Sequence, residues 1–386
     1  MRKMMYYSGI FLVAALLFSC MDYDYYNENI SEYTSKPILM SLDISSGTLT
    51  PEFNSKITKY SLSIESSIDE ITLYPVPQLE KSDFYFYLGE VPIGQKNECR
   101  SLPLQYGDNL VKVKIIGVNK RINEYTLTVN RFNPSVFGNV LIKDTDDLKL
   151  LYKKSIIDGD LTIDSVNSLD MLNLEALNFL TIIRGDLNII NNKYLEDTYG
   201  FKNLAVIEGD FNIINNEKLK TVSGFDSLHS IEGDINISYN GILESLDDLN
   251  SLIKSFNGNI TINTNAQLIS INCFQNFYGN IMDVKISGNT NLTEINSFQN
   301  ILQINSLIIS NNLNINRIEM RALVNINNDL TISLNNNLTS LNFPNLETVQ
   351  GLFTIRNNSK LLTSIAYDLC SQVNYDSEYV IEENKL

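Results

Sequence analysis

From Gly159 to Leu361 the chain repeats one pattern of apolar and polar positions nine times, with a period of 23 to 26 residues. The repeats begin at Gly159, Gly185, Gly209, Gly233, Gly258, Met282, Asn305, Asn328 and Gly351. Counting that residue as zero, position two is always apolar, from Leu161 to Phe353, and position four is always isoleucine, from Ile163 to Ile355. Position ten is Leu or Ile throughout (Leu169 in the first repeat), and position seven is Asn in every repeat after the first, from Asn192 to Asn358. Apolar residues two apart mark a short strand with alternate side chains inward. A unit of this length cannot bury its own apolar side, so successive coils stack and their strands pair in parallel. At about 4.8 Å per strand, nine coils make a rod on the order of 40 Å long. Isoleucines then pile into a column, for which stiff β-branched side chains are suited. An inward turn buries backbone N–H and C=O groups, and Asn carries both a donor and an acceptor to satisfy them. Position seven therefore reads as a structural ladder, not a binding site.

Positions one and three point outward. Position three holds Thr162, Asn188, Asn212, Asn236, Thr261, Lys285, Ile308, Thr331 and Thr354, a polar face with few charges. Of these, Asn188, Asn212, Asn236, Thr261 and Lys285 are the candidate ligand-binding residues. Position one is mostly carboxylate: Asp160, Asp186, Asp210, Asp234, Asp283 and Asp329, with Asn259 and Ser306 among them. Carboxylates stacked this closely repel unless each accepts a turn N–H or they share a cation. Turn bonding is the expectation and a calcium row the alternative, since oxygen-rich calcium loops are not evident. No metal site is assigned.

The phrase Ile-x-Gly-Asp-Leu-x-Ile-x-x-Asn-x-x-Leu, continuing to Phe-x-x-Leu, resembles the receptor L domain of growth-factor and insulin receptors, over residues 138 to about 365. A leucine-rich-repeat horseshoe fits less well, because the apolar residue after the Asn comes three positions later instead of two. The resemblance implies a right-handed parallel β-helix, with Gly138 to Ile142 as opening strand and Asp144 to Lys154 as a capping helix. It also implies a rigid, non-catalytic platform for another macromolecule. The chain has more coils than one such domain and lacks its flanking disulfide, so hormone binding does not carry over.

Residues 36–132 follow a different rhythm. Short runs such as Thr58–Ile64, Ile71–Tyr74, Phe84–Leu88, Leu110–Val118 and Tyr125–Val129 alternate polar and apolar between Pro, Gly and Asn turns. About seven short strands in this length suggest an antiparallel sandwich. The motifs Ser46-Gly47-Thr48-Leu49-Thr50-Pro51-Glu52-Phe53, Tyr60, Gly107-Asp108-Asn109 and Tyr125 to Arg131 resemble, in order, the cadherin-like β-sandwich domain of bacterial surface proteins. That family implies a spacer or accessory module. Phe84-Tyr85-Phe86-Tyr87 offers aromatic rings for sugar stacking, although alternation reads more simply as packing.

The first residues read as an address. Arg2 and Lys3 precede an apolar run, Ile10 to Phe18, too short to span a bilayer. It ends in Leu17-Phe18-Ser19-Cys20, which resembles a bacterial lipoprotein box. The resemblance implies a signal peptide at 1–19 and acylation of Cys20, giving an outer-membrane lipid anchor. A plain secretory signal with an incidental Cys is the alternative. The acidic stretch 20–35 is a solvated tether or an export tag resembling the one that directs lipoproteins to the cell exterior. The formal net charge of −16 argues against a nucleic-acid partner. Cys99, Cys273 and Cys370 are far apart and read as three partly buried thiols. The single histidine, His229, reads as a surface residue. No phosphate loop, metal pair or nucleophile–base order is evident, so no cofactor is expected.

The chain is thus expected to be mainly β: an antiparallel β-sandwich (36–132), then a right-handed parallel β-helix, leucine-rich-like solenoid of about nine coils with end caps (133–386). Its expected role is a non-catalytic, lipid-anchored surface protein binding an unknown protein or glycan. A structural subunit of an outer-membrane complex is the alternative, and a polysaccharide-active β-helix enzyme a more distant one.

Overall fold

A computed structural model describes residues 36–166, 174–252, 257–375 and 378–385. The proposed signal peptide, Cys20, the acidic tether and Leu169 lie outside these residues. The chain divides into two units, one ending at Asn133 and the other beginning at Pro134.

In the first unit, eight strands form two sheets: β1 (Leu39–Ile44), β2 (Lys59–Ile64), β3 (Glu70–Pro77), β4 (Asp83–Leu88), β5 (Val91–Ile93), β6 (Ser101–Pro103), β7 (Gly107–Ile116) and β8 (Ile122–Arg131). One sheet has the order β1-β3-β6 and the other β2-β8-β7-β4-β5. Every pairing is antiparallel except that of β2 with β8, which runs parallel. The alternation of Lys59–Ile64 is realised residue by residue, with Tyr60, Leu62 and Ile64 buried between exposed neighbours. Tyr60 and Tyr125 both enter this core, and both phenols are bonded: Tyr60 donates to Asn54 O at 2.7 Å, and Tyr125 donates to Ser55 O at 3.0 Å while accepting from Leu39 N at 3.1 Å. Burial pushes the Tyr125 phenol above its ordinary pKa. At the turn into β7, Gly107 takes φ +85°, and buried Asn109 bonds the Gln105 N–H at 2.8 Å and the Gln105 carbonyl at 2.7 Å. That motif staples a bend that only glycine enters without strain.

The second unit is a parallel β-solenoid. Its principal sheet carries one strand from each coil, in register from Val140–Ile142 through Leu161–Asp164, Leu187–Ile190, Phe211–Ile214, Ile235–Ser238, Ile260–Asn263, Gly279–Ser287, Ile301–Ser310, Leu330–Ser333 and Phe353–Arg356 to Tyr379–Glu382. These are the nine repeats of the sequence with one strand added at each end. Gly138 heads the first, as expected. The last was not anticipated, because Asp376 to Asn384 keeps only Ile381 and Asn384 of the pattern. A second run of short parallel strands climbs from Ser135–Phe137 to Ser230–Ile231, and a third from Ser270–Ile271 to Ser340–Asn342. At Met282 and Asn305 the corner is absorbed into a single long strand, Gly279–Ser287 or Ile301–Ser310, whereas at Asn328 the break between Asn325–Ile326 and Leu330–Ser333 is kept.

Inward positions form one continuous core from Val140 to Val373. Phenylalanines join it by stacking between coils, Phe201 on Phe225 at 5.2 Å and Phe274 on Phe298 at 5.8 Å. At the first end, the expected capping segment forms an α-turn at Thr145–Leu148 and a 3₁₀ turn at Lys149–Leu151. Asp144 starts it with a reciprocal capping box to Asp147, and Leu148 and Leu151 enter the core. In the last coil, helix Thr363–Gln372 contributes Ala366, Leu369 and Cys370 to the same core. No helix among the described residues is long and apolar enough to cross a membrane.

Candidate binding face

The corners of the solenoid explain the most recurrent residues. Each position-seven Asn is fully buried and bonds two ways. Asn216 Nδ2 donates to the Ile189 carbonyl at 2.9 Å, and its Oδ1 accepts the Asn192 backbone N–H at 3.2 Å. The pattern repeats up the stack through Asn240, Asn265, Asn289, Asn312, Asn335 and Asn358. It ends at Asn384, whose Nδ2 donates to Ile355 O at 2.8 Å. Position six turns the chain into this corner with a left-handed backbone in every coil, including Asn191, Asn215, Tyr239, Thr264, Asn311, Leu334 and Asn357 at φ between 56° and 60°.

The carboxylates of position one are turn-bonded, as expected, except Asp283, which accepts from Asn305 Nδ2 at 2.7 Å. Asp160, Asp186 and Asp210 each accept the backbone N–H of the corresponding residue one coil on, at 2.9, 2.7 and 2.7 Å. Asp234 takes the same bond from Asn259 at 2.8 Å, and Asp329 from Leu352 at 2.8 Å. This bonding requires close approach of the coils. A Cβ on Gly209 would lie 2.6 Å from the Gly185 carbonyl carbon and 2.3 Å from Asp186 Oδ1, and Gly185 and Gly233 are equally confined. Gly-Asp is therefore a stacking device.

With those positions committed to the fold, the expected ligand-binding residues lie on the outward side of the principal sheet. Asn188, Asn212, Asn236, Thr261 and Lys285 stand in one in-register row. The first four are half-buried by their own row neighbours and Lys285 is exposed. Asn212 Nδ2 donates to Asn188 Oδ1 at 2.9 Å, and Asn188 Nδ2 reaches Thr162 Oγ1 at 3.4 Å. These lateral bonds orient the Asn212 and Asn188 amides along the row.

Sequence reasoning missed a second row. Position five shares this face: Ile190 and Ile214, then Ser238, Asn263, Ser287, Ser310 and Ser333, ending at Arg356. Ser238 Oγ bonds Asn236 Oδ1 across the two rows, and Ser310 Oγ bonds Ser287 Oγ at 3.1 Å. The signal was available, because residues two apart on a strand share a face. The combined surface carries mostly amides and hydroxyls, with Ile190, Ile214 and Ile308 among them, Lys285 as the one charge in its centre, and Asp164 and Arg356 at its ends.

Other candidates resolve into structure. Phe84 and Phe86 are buried in the sandwich core, while Tyr85 and Tyr87 lie half-buried on the other side, with the Lys114 ammonium 5.7 Å from the Tyr87 ring. His229 is exposed. Cys273 and Cys370 are buried thiols, and burial raises the Cys273 pKa well above its usual value. Cys99 is half-buried against the sandwich core. One charged cluster was not foreseen. Buried Glu319 accepts from Arg321 Nε at 2.5 Å, from Asn342 Nδ2 at 2.6 Å and from Arg317, so both carboxylate oxygens are occupied.

Neither curated proteins nor solved structures gave a match to the chain. Residues 39–132, about a quarter of the sequence, match the family model of the cadherin-like beta sandwich domain. With β1 to β8 arranged as described, the chain therefore carries a cadherin-like β-sandwich domain ahead of its parallel β-solenoid.

Proposed function

We propose that the protein is a non-catalytic surface protein, anchored in the outer membrane through acylated Cys20 and facing the cell exterior, whose solenoid binds a protein or glycan partner through its principal sheet. The observation that carries this reading is the paired outward row around Asn212, Asn236 and Thr261. It offers uncharged donors and acceptors at regular spacing on a support held rigid by buried ladders on either side. Such a surface needs no ordering on binding, which favours affinity for an extended partner. The resemblance of the repeats to the receptor L domain points the same way, as does the cadherin-like module, whose family suits an adhesion or binding role.

Two experiments test it. Cys20→Ser should abolish incorporation of radiolabelled palmitate, and protease added to intact cells should remove the wild-type solenoid; full protection refutes the exterior placement. Asn212→Arg and Thr261→Arg place bulky charges on the row without touching the core. They should sharply weaken binding of the purified chain to cells at unchanged melting temperature, and unchanged binding refutes the role of the face.

A further inference from the structure

The corner ahead of each strand of the second run, and the same place in the later coils, has its own column. Asn203 Nδ2 donates to the Asn178 carbonyl at 2.6 Å, Ser227 Oγ to Lys202 O at 2.7 Å, and Asn276 Nδ2 to Asn250 O at 3.0 Å. Asn300 and Asn345 make the equivalent bonds at 2.7 Å each. A small amide or hydroxyl bonded to the previous coil is thus the fold's own occupant of this position. Ser251 bonds the Phe225 and Leu228 carbonyls instead, Ala322 leaves the position without a polar group, and the first coil alone fills it with an aromatic ring. Strand register places Phe179 where the column calls for Asn or Ser, and Tyr152 where it would find its carbonyl. Both rings are solvent-facing, Tyr152 60% exposed and Phe179 45%. Packing does not require them, since neither belongs to the core.

The two rings meet edge to face, with centroids 5.9 Å apart and planes at 77°. They form a floor and a wall in a shallow concavity of about 520 Å³. Ala176 completes its apolar part, and Glu175, Lys202 and Asn203 complete its polar part. Asn178 Oδ1 has no hydrogen-bond partner among the described residues, but so does Asn250 Oδ1 at the same place in a later coil, so this belongs to the repeat and not to a ligand.

We propose that this notch is a saccharide subsite taking one ring of a neutral glycan, a function separate from that of the principal sheet. A pyranose has an apolar C–H face and a rim of hydroxyls. An exposed aromatic ring matches the face, and a carboxylate, an ammonium and an amide at the margins match hydroxyls that both donate and accept. The opposed charges of Glu175 and Lys202 leave the notch without a net sign, whereas an acidic sugar would meet Glu175 on a chain of net charge −16. The concavity is shallow and rimmed by charge, unlike the dry, enclosed pockets that anchor protein hot spots.

The test uses the full chain against an immobilised panel of neutral gluco-, manno-, galacto- and xylo-oligosaccharides, with acidic oligosaccharides alongside. Phe179→Asn restores the column's own residue, whose amide can donate to Tyr152 O, so folding and melting temperature should be unchanged. Wild type should bind at least one neutral member, and Phe179→Asn and Tyr152→Leu should each weaken it at least tenfold. Thr339→Arg, exposed elsewhere on the solenoid, should leave that affinity intact. The proposal is overturned if no neutral member binds, if Phe179→Asn binds as wild type, if acidic members bind better, or if Thr339→Arg removes binding as fully as Phe179→Asn. It is equally overturned, in favour of a protein contact, if Phe179→Asn releases a protein partner while no sugar binds.

Discussion

Asn212 and Asn216 are the same residue type, four positions apart in one coil, and should respond very differently to truncation. Asn216 is fully buried: its Nδ2 donates to Ile189 O at 2.9 Å and to Asn240 Oδ1 at 3.1 Å, and its Oδ1 accepts from Asn192 N at 3.2 Å. In Asn216→Ala a backbone carbonyl and a backbone N–H lose their bonds in a place water does not reach. At about 1–3 kcal/mol for each stranded buried group, the variant should lose roughly 3–5 kcal/mol. For a domain of this size that lowers the melting temperature by on the order of 10 °C. Asn212 has one lateral bond to Asn188 and a solvent-facing edge, so Asn212→Ala should cost no more than about 0.5 kcal/mol. Urea titration followed by circular dichroism measures both, with the midpoint falling for Asn216→Ala at an unchanged slope. Equal midpoints, or a loss below about 1 kcal/mol for Asn216→Ala, would refute the assignment of the Asn column to structure and of the outward row to contact.

Gly209→Ala should destabilise by about 2 kcal/mol or more, because its Cβ meets backbone of the preceding coil at 2.6 Å and the coils must separate; a urea midpoint equal to wild type would contradict the stacking account. Leu334 is 48% exposed and sits at φ +58°. Leu334→Asn should therefore raise the melting temperature, by about 1 kcal/mol of relieved backbone strain, and a lower melting temperature would count against it. Cys273 is fully buried with a raised thiol pKa, so in the native chain it should be inert to a thiol reagent and label only at the rate of unfolding. Because the folded state holds that proton more tightly, its contribution to stability is complete below the ordinary thiol pKa of about 8.5 and declines as pH rises above it.

Much of the solenoid was legible because its physics is periodic. Stacking forces Ile163 to Ile355, the Asn column and the Gly-Asp corners to recur, and recurrence is what a sequence displays. The terminal strand Tyr379–Glu382 was illegible for the converse reason: it pairs on one side only, with Phe353–Arg356, and keeps little of the repeat pattern. The parallel pairing of β2 with β8 was equally hidden, since alternation within a strand says nothing of its neighbour's direction. On the binding face, the position-three row was readable, but position five was overlooked although strand geometry places it alongside. The Tyr152–Phe179 notch emerges only against a column of bonds that has no fixed residue type, Asn in most coils, Ser in two and Ala in one, and so leaves no motif.

The central claim is that the outward face of the principal sheet is where the partner sits. A photo-crosslinking amino acid placed at Asn236 in living cells tests it directly, with Thr339, exposed elsewhere on the solenoid, as the control position. Illumination should give a discrete, heavier product from position 236 and none from position 339. No product from position 236, or the same product from both, would contradict the account.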